Sequence, residues 1–107
     1  MSRIGEYTLK GRVVQQPGEN IRRLIDYTRW METGEVILTV TASVLPATSP
    51  AFVITNLVID PDGQKVAYFA SGGVDKEDYT ATFVVTTNVT QTREDEILFG
   101  VREVLRG

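Results

Sequence analysis

Apolar and polar residues alternate with a period of two along most of the chain. Residues 36–44, VILTVTASV, place Val36, Leu38, Val40, Ala42 and Val44 on one side and Ile37, Thr39, Thr41 and Ser43 on the other. Residues 78–87, DYTATFVVTT, set Tyr79, Ala81, Phe83 and Val85 against Thr80, Thr82, Val84 and Thr86. Successive side chains of a strand point to opposite faces, so both stretches predict strands with one buried face. Looser alternation predicts further strands over residues 7–15, with Tyr7, Leu9 and Val13 on one side, and over 21–27. Residues 52–59, FVITNLVI, are apolar at both parities, which predicts a central strand covered twice. Residues 64–71 and 96–105 complete the set.

Turn chemistry separates these segments. Pro17–Gly18, the loop PATSP at 46–50, DPDG at 60–63, Gly72–Gly73 and NVTQTR at 88–93 each interrupt the alternation. One stretch breaks the pattern differently: DYTRWMETGE, 26–35, carries the only Trp next to a Met. Asp26 can accept backbone N–H bonds and Gly34 can supply a left-handed cap, so the stretch predicts one helical turn over Thr28–Thr33. The expected fold is an all-β, immunoglobulin-like sandwich of about seven strands with one short helical turn. Residues 21–107 form that sandwich in this reading, and residues 1–20 an N-terminal arm or extra strand. A barrel of similar strand number is the competing architecture.

Composition narrows the chemistry. The 107 residues contain no Cys and no His. Disulfides, thiolate metal sites, the commonest zinc ligand and the usual general base are therefore missing. The net charge of −3 is divided as +1 over residues 1–35 and −4 over 36–107, which offers no basic face for nucleic acid. No basic amphipathic helix suggests a membrane surface. Residues 36–59 are uncharged and long enough to span a bilayer, but two prolines, many hydroxyls and a period of two make them two strands and a loop. MSRIGEYTLKGR lacks the apolar centre of a signal peptide, so synthesis in a cytoplasm is expected.

Few residues invite catalysis. Asp60 and Asp62, with Asp75, Glu77 and Asp78, lack the spacing of a calcium loop and read as turn chemistry. REDE, 93–96, has no base or nucleophile beside it and reads as a solvated strand start or an ion-pair rim. No cofactor or metal ligand set is expected. Trp30 reads as the plug of one sandwich end, or as an interface anchor beside Met31.

The most informative feature is where charge is missing. Residues 36–59 and 79–92 carry none, whereas outward strand positions of a monomeric sandwich usually bear Lys and Glu. Thr39, Thr41, Ser43, Thr80, Thr82, Val84 and Thr86 suit a face laid against another chain, where a buried charge would cost several kcal/mol. Together with Trp30 and Met31 they form the candidate interface.

DYTRWMETGEVILTVTASV at 26–44, and YFASGGVDKEDYTATFVVTTNVTQTREDEILFGVREV at 68–104, resemble the phage tail-fibre adaptor family. The most specific combination is Ser71-Gly72-Gly73 with Tyr79-Thr80 and Arg93-Glu94. Arg29 stands where that family usually has an acid, and residues 1–20 fall outside the resemblance. The resemblance implies an immunoglobulin-like sandwich acting as an adaptor or accessory subunit of a virion tail or neck. It implies binding to tail, portal or fibre subunits and no catalysis; the uncharged strand faces add the expectation of a homo-oligomer in the particle. An alternative, a carbohydrate- or small-ligand-binding sandwich, requires a row of exposed aromatics; a hydrolase requires two acids flanking a cleft.

Overall fold

The computed structural model describes residues 13–103. Seven strands follow in order: β1 (Val13–Gln15), β2 (Asn20–Asp26), β3 (Ile37–Leu45), β4 (Phe52–Ile59), β5 (Lys65–Gly72), β6 (Asp78–Thr87) and β7 (Thr92–Val101). They form a four-stranded sheet in the order β1-β7-β6-β3 and a three-stranded sheet in the order β2-β5-β4. β1 runs parallel to β7, and every other pairing is antiparallel. Strands two, five and four on one sheet and three, six and seven on the other reproduce the division of an immunoglobulin sandwich. The first strand sits on the edge of the larger sheet. The expected strand over 7–15 is seen from Val13 onward; its earlier part lies outside the described residues.

Alternation builds the core as the sequence predicts. Tyr79, Ala81, Phe83 and Val85 of β6 are fully buried, facing Val66, Tyr68 and Ala70 of β5. Aromatic rings lock the layers together. Phe52 of the smaller sheet lies 5.1 Å from Tyr79 and 4.9 Å from Phe99 of the larger, and Tyr68 lies 4.8 Å from Phe83. Such pairs add about 0.5–1.5 kcal/mol each beyond the area they bury.

Three local expectations change. A bulge between Ile37 and Thr39 reverses the phase of β3's first residues. Ile37 enters the core and Leu38 turns out to solvent. β4 is an edge strand, not a central one, with Val53, Thr55 and Val58 exposed on its outer side. Its second apolar parity faces outward, and a bulge at Asn56, which has a positive φ of 54°, interrupts its pairing. β7 begins at Thr92, so REDE lies within a strand.

The Trp-bearing segment is compact without becoming a helix. Trp30 N–H donates to the Tyr27 carbonyl at 3.0 Å, and Met31 N–H to the Thr28 carbonyl at 3.2 Å. Asp26 Oδ1 accepts from Thr28 N–H at 2.9 Å, and Gly34 takes the left-handed conformation that ends the segment. The expected helical turn is thus two overlapping reverse turns, and no helix occurs among the described residues.

Candidate assembly interface

Strand register decides whether the candidate residues share a surface. Thr39 pairs with Thr86, Thr41 with Val84, Ser43 with Thr82 and Leu45 with Thr80. All seven sheet candidates therefore lie side by side on the outer face of the four-stranded sheet. The hydroxyls of Thr39 and Thr86 bond to each other across the strands. Thr82 and Val84 are flanked on their other side by Glu96 and Glu94 of β7. The uncharged patch thus covers β3 and β6 and ends in two carboxylates at β7. Leu45, Leu98 and Val14 extend the same face; sequence reading passed over them because they sit at strand ends or on segments of loose alternation.

Trp30 and Met31 stand apart from this face. Both pack half-buried against the core. Trp30 meets Tyr27 edge-on at 6.1 Å, and the Arg93 guanidinium lies 5.1 Å from the centre of its ring. Arg93 and Asp95 occupy the inward parity of β7, with Arg93 Nε 3.0 Å from Asp95 Oδ2 and the Asp95 side chain 1% exposed. REDE is therefore split: Glu94 and Glu96 face out, while Arg93 and Asp95 close the sandwich end beneath the indole. The nearby Tyr27 hydroxyl is buried without a hydrogen-bond partner among the described residues. Burial, reinforced by the Asp95 charge, pushes the Tyr27 phenol pKa well up.

Glu35 is a second buried acid that periodicity did not reveal. Its carboxylate accepts from Glu32 N–H at 2.8 Å and from Gln91 Nε2 at 3.0 Å. The Glu32 bond first, then Thr87 and Gln91, hold its pKa below the ordinary value. Glu35 thereby ties the Trp-bearing segment to the turn between β6 and β7.

At the opposite end, Gly72 and Gly73 both have positive φ, 84° and 94°. A Cβ on Gly72 would strike the Ala51 carbonyl, and one on Gly73 would come within 2.9 Å of Val101. Tyr79 anchors the corner: its hydroxyl accepts from Val74 N–H at 2.9 Å and bonds Thr48 Oγ1 at 2.8 Å. A Tyr at the start of the sixth strand, bonded to backbone a few residues upstream, is the tyrosine corner of immunoglobulin-like domains. The Ser-Gly-Gly and Tyr-Thr motifs are thus structural.

The three-stranded sheet has its own outer patch. Leu24, Ala67 and Val58 line up across β2, β5 and β4, next to Arg22, Phe69 and Thr55. Leu24 and Val58 are about half exposed. Asp60 and Asp62 work in their turn, where Gly63 N–H donates to the Asp60 carbonyl and Lys65 pairs with Asp62 at 2.8 Å. The described residues hold no group of three or more acids placed around a common ion site.

Strand order, the tyrosine corner and the inward ion pair define an immunoglobulin-like structural domain whose motifs serve its own packing. No curated protein matches the chain. The family model for the podophage GP4 fiber-tail adaptor protein gp77 matches residues 15–99, most of the chain, and the chain belongs to that family. The match takes in Gln15 and the first turn, which sequence reading had left outside. Membership makes it a structural protein of the phage tail.

Proposed function

We propose that this chain is an adaptor subunit of a bacteriophage virion that joins fibres or decoration to the tail or portal and is present in several copies. The observation that carries the reading is the uncharged face of β3 and β6, on which Thr39, Thr41, Ser43, Thr80, Thr82, Val84 and Thr86 lie together. A neighbouring chain can cover that face without desolvating an unpaired charge. Glu94 and Glu96 at its border set a polar rim, the usual anatomy of a protein interface. Affinity would be spread over many weak contacts multiplied by copy number rather than concentrated in one pocket. The half-exposed Trp30 and Met31 end would serve as a secondary contact. The subunit would be made in the host cytoplasm, work without a cofactor and catalyse nothing.

The carbohydrate-binding alternative finds little support in the aromatic side chains. Tyr27, Tyr68 and Tyr79 are buried, and Trp30 packs against the core with the Arg93 guanidinium over its ring. Thr41→Lys together with Thr82→Lys tests the proposal. The subunit should fold normally and fail to enter particles. Unchanged incorporation with normal fibre attachment would contradict it.

A further inference from the structure

The two outer faces of the sandwich carry opposite charge. On the four-stranded sheet, Glu94 and Glu96 of β7 point outward and are exposed. Asp78, at the far end of β6, is paired with Arg102 at 2.8 Å. On the three-stranded sheet, Arg22 is the mid-strand charge among the described residues, and Asp26 and Lys65 oppose each other at the sheet's end. The rest of that face is uncharged, with Leu24, Phe69, Val53, Thr55 and Val58 on it. Arg22 and the two glutamates stand at the same height on their two faces. Arg23, next to Arg22, is opposite Tyr68 in register. The Tyr68 ring meets Phe83 across the core at 4.8 Å, and Phe83 is opposite Asp95, between Glu94 and Glu96. They also stand on the same side: β2 and β7 meet across the core, where the Arg23 guanidinium lies 5.7 Å from the centre of the Phe99 ring. β3 and β4 face each other on the other side.

We infer that the outer face of β3, β6 and β7 is covered by the outer face of β2, β5 and β4 of a second copy, stacked front to back. This rests on the multi-copy reading above and names the neighbour. Shifting a copy along the sheet normal, with the small rotation that packed twisted sheets adopt, sets Arg22 over Glu94 and Glu96. The same shift lays the uncharged β4 over the uncharged β3 and β6. Front-to-front contact brings two negative faces together, and back-to-back contact brings two positive ones; front-to-back contact brings opposite charges together. Three strands about seven residues long cover roughly 14 Å by 24 Å, about 340 Å² in projection. A standard interface buries about 800 Å² on each partner, so a single contact of this size is weak and gains its strength by repetition. Front and back are different surfaces, so the contact is heterologous. It closes into a ring or runs on as a stack according to the rotation per subunit.

Charge reversal tests it, read by sedimentation velocity of the full-length chain from micromolar to millimolar concentration. The unaltered chain should self-associate reversibly, and less so as salt rises. Arg22→Glu makes both faces negative, and Glu94→Lys with Glu96→Lys makes both positive. Each should weaken self-association about tenfold or more. Mixing the two variants should restore it, because each face then meets its opposite. All three residues are exposed, so melting temperatures should hold. Arg22→Gln and Glu94→Gln with Glu96→Gln replace the reversals if these do not fold. Association that survives either reversal, or that mixing does not restore, would overturn front-to-back stacking while leaving the multi-copy reading intact. Where the chain is monomeric throughout, a map of the particle decides. Arg22 of one copy at ion-pair distance from Glu94 or Glu96 of the next would uphold the stacking, and any other neighbour on that face would overturn it. A single copy in the particle would overturn both.

Discussion

The Arg93 guanidinium stands 5.1 Å from the centre of the Trp30 ring while its Nε holds the buried carboxylate of Asp95. One arginine therefore joins the irregular segment to the inward face of β7. Trp30→Ala should cost about 3 kcal/mol, the low end for a large aromatic because the ring is part-exposed. Denaturant unfolding of the lone subunit measures it. An unchanged midpoint with lost assembly would instead make Trp30 an interface anchor.

Arg93→Leu leaves Asp95 buried without this partner and should cost about 3–5 kcal/mol. The double variant with Asp95→Leu should be more stable than Arg93→Leu alone. A double-mutant cycle in urea checks both; strictly additive losses would mean that the pair is uncoupled.

How much of this was legible in the sequence depends on whether one strand's pattern stands alone. The inward set Tyr79, Ala81, Phe83 and Val85 was readable because β6 is regular from end to end. That Thr39, Thr41 and Ser43, and Thr82, Val84 and Thr86, point outward followed from parity; that the two sets lie side by side needed the fold. The phase of Leu38 was hidden because a bulge leaves no mark in composition. β4 was misplaced because apolar residues on its outer parity look like burial, when they lie on an exposed edge. Arg93 and Asp95 were hidden by their charge. Alternation does put them inward, but charged residues are presumed solvated unless a partner is known.

The corner at the other end makes a separate prediction. Tyr79→Phe keeps the stacked ring and removes the hydroxyl that receives Val74 N–H, so it should cost about 1–2 kcal/mol. Gly72→Ala forces a Cβ into a left-handed residue against the Ala51 carbonyl and should cost at least about 1–2 kcal/mol. Thermal unfolding ranks both, and a neutral Gly72→Ala would refute the described turn.

Stability should depend on pH at both extremes. Thr28 hydrogen bonds lower the Asp26 pKa, the Glu32 N–H lowers that of Glu35, and Lys65 lowers that of Asp62. Groups with folded values below unfolded ones stabilise fully above the unfolded range, here 3.8 to 4.5, and lose that contribution as the pH falls through the lower folded values. Burial pushes the Tyr68 pKa up to about 12 from 10. Its contribution is complete below pH 10 and is lost as the pH rises through 12. Melting temperatures from pH 2.5 to 11.5 should therefore be level between about 5 and 9.5 and fall on either side. Glu35→Gln should flatten the acid limb.

The account rests on one face being covered by other chains, and a cryo-EM map of the native particle measures that directly. The predicted result is density for several copies at the tail, with the Thr41, Thr82 and Val84 face against a neighbouring subunit. A copy fixed in the particle with that face open to solvent would contradict it.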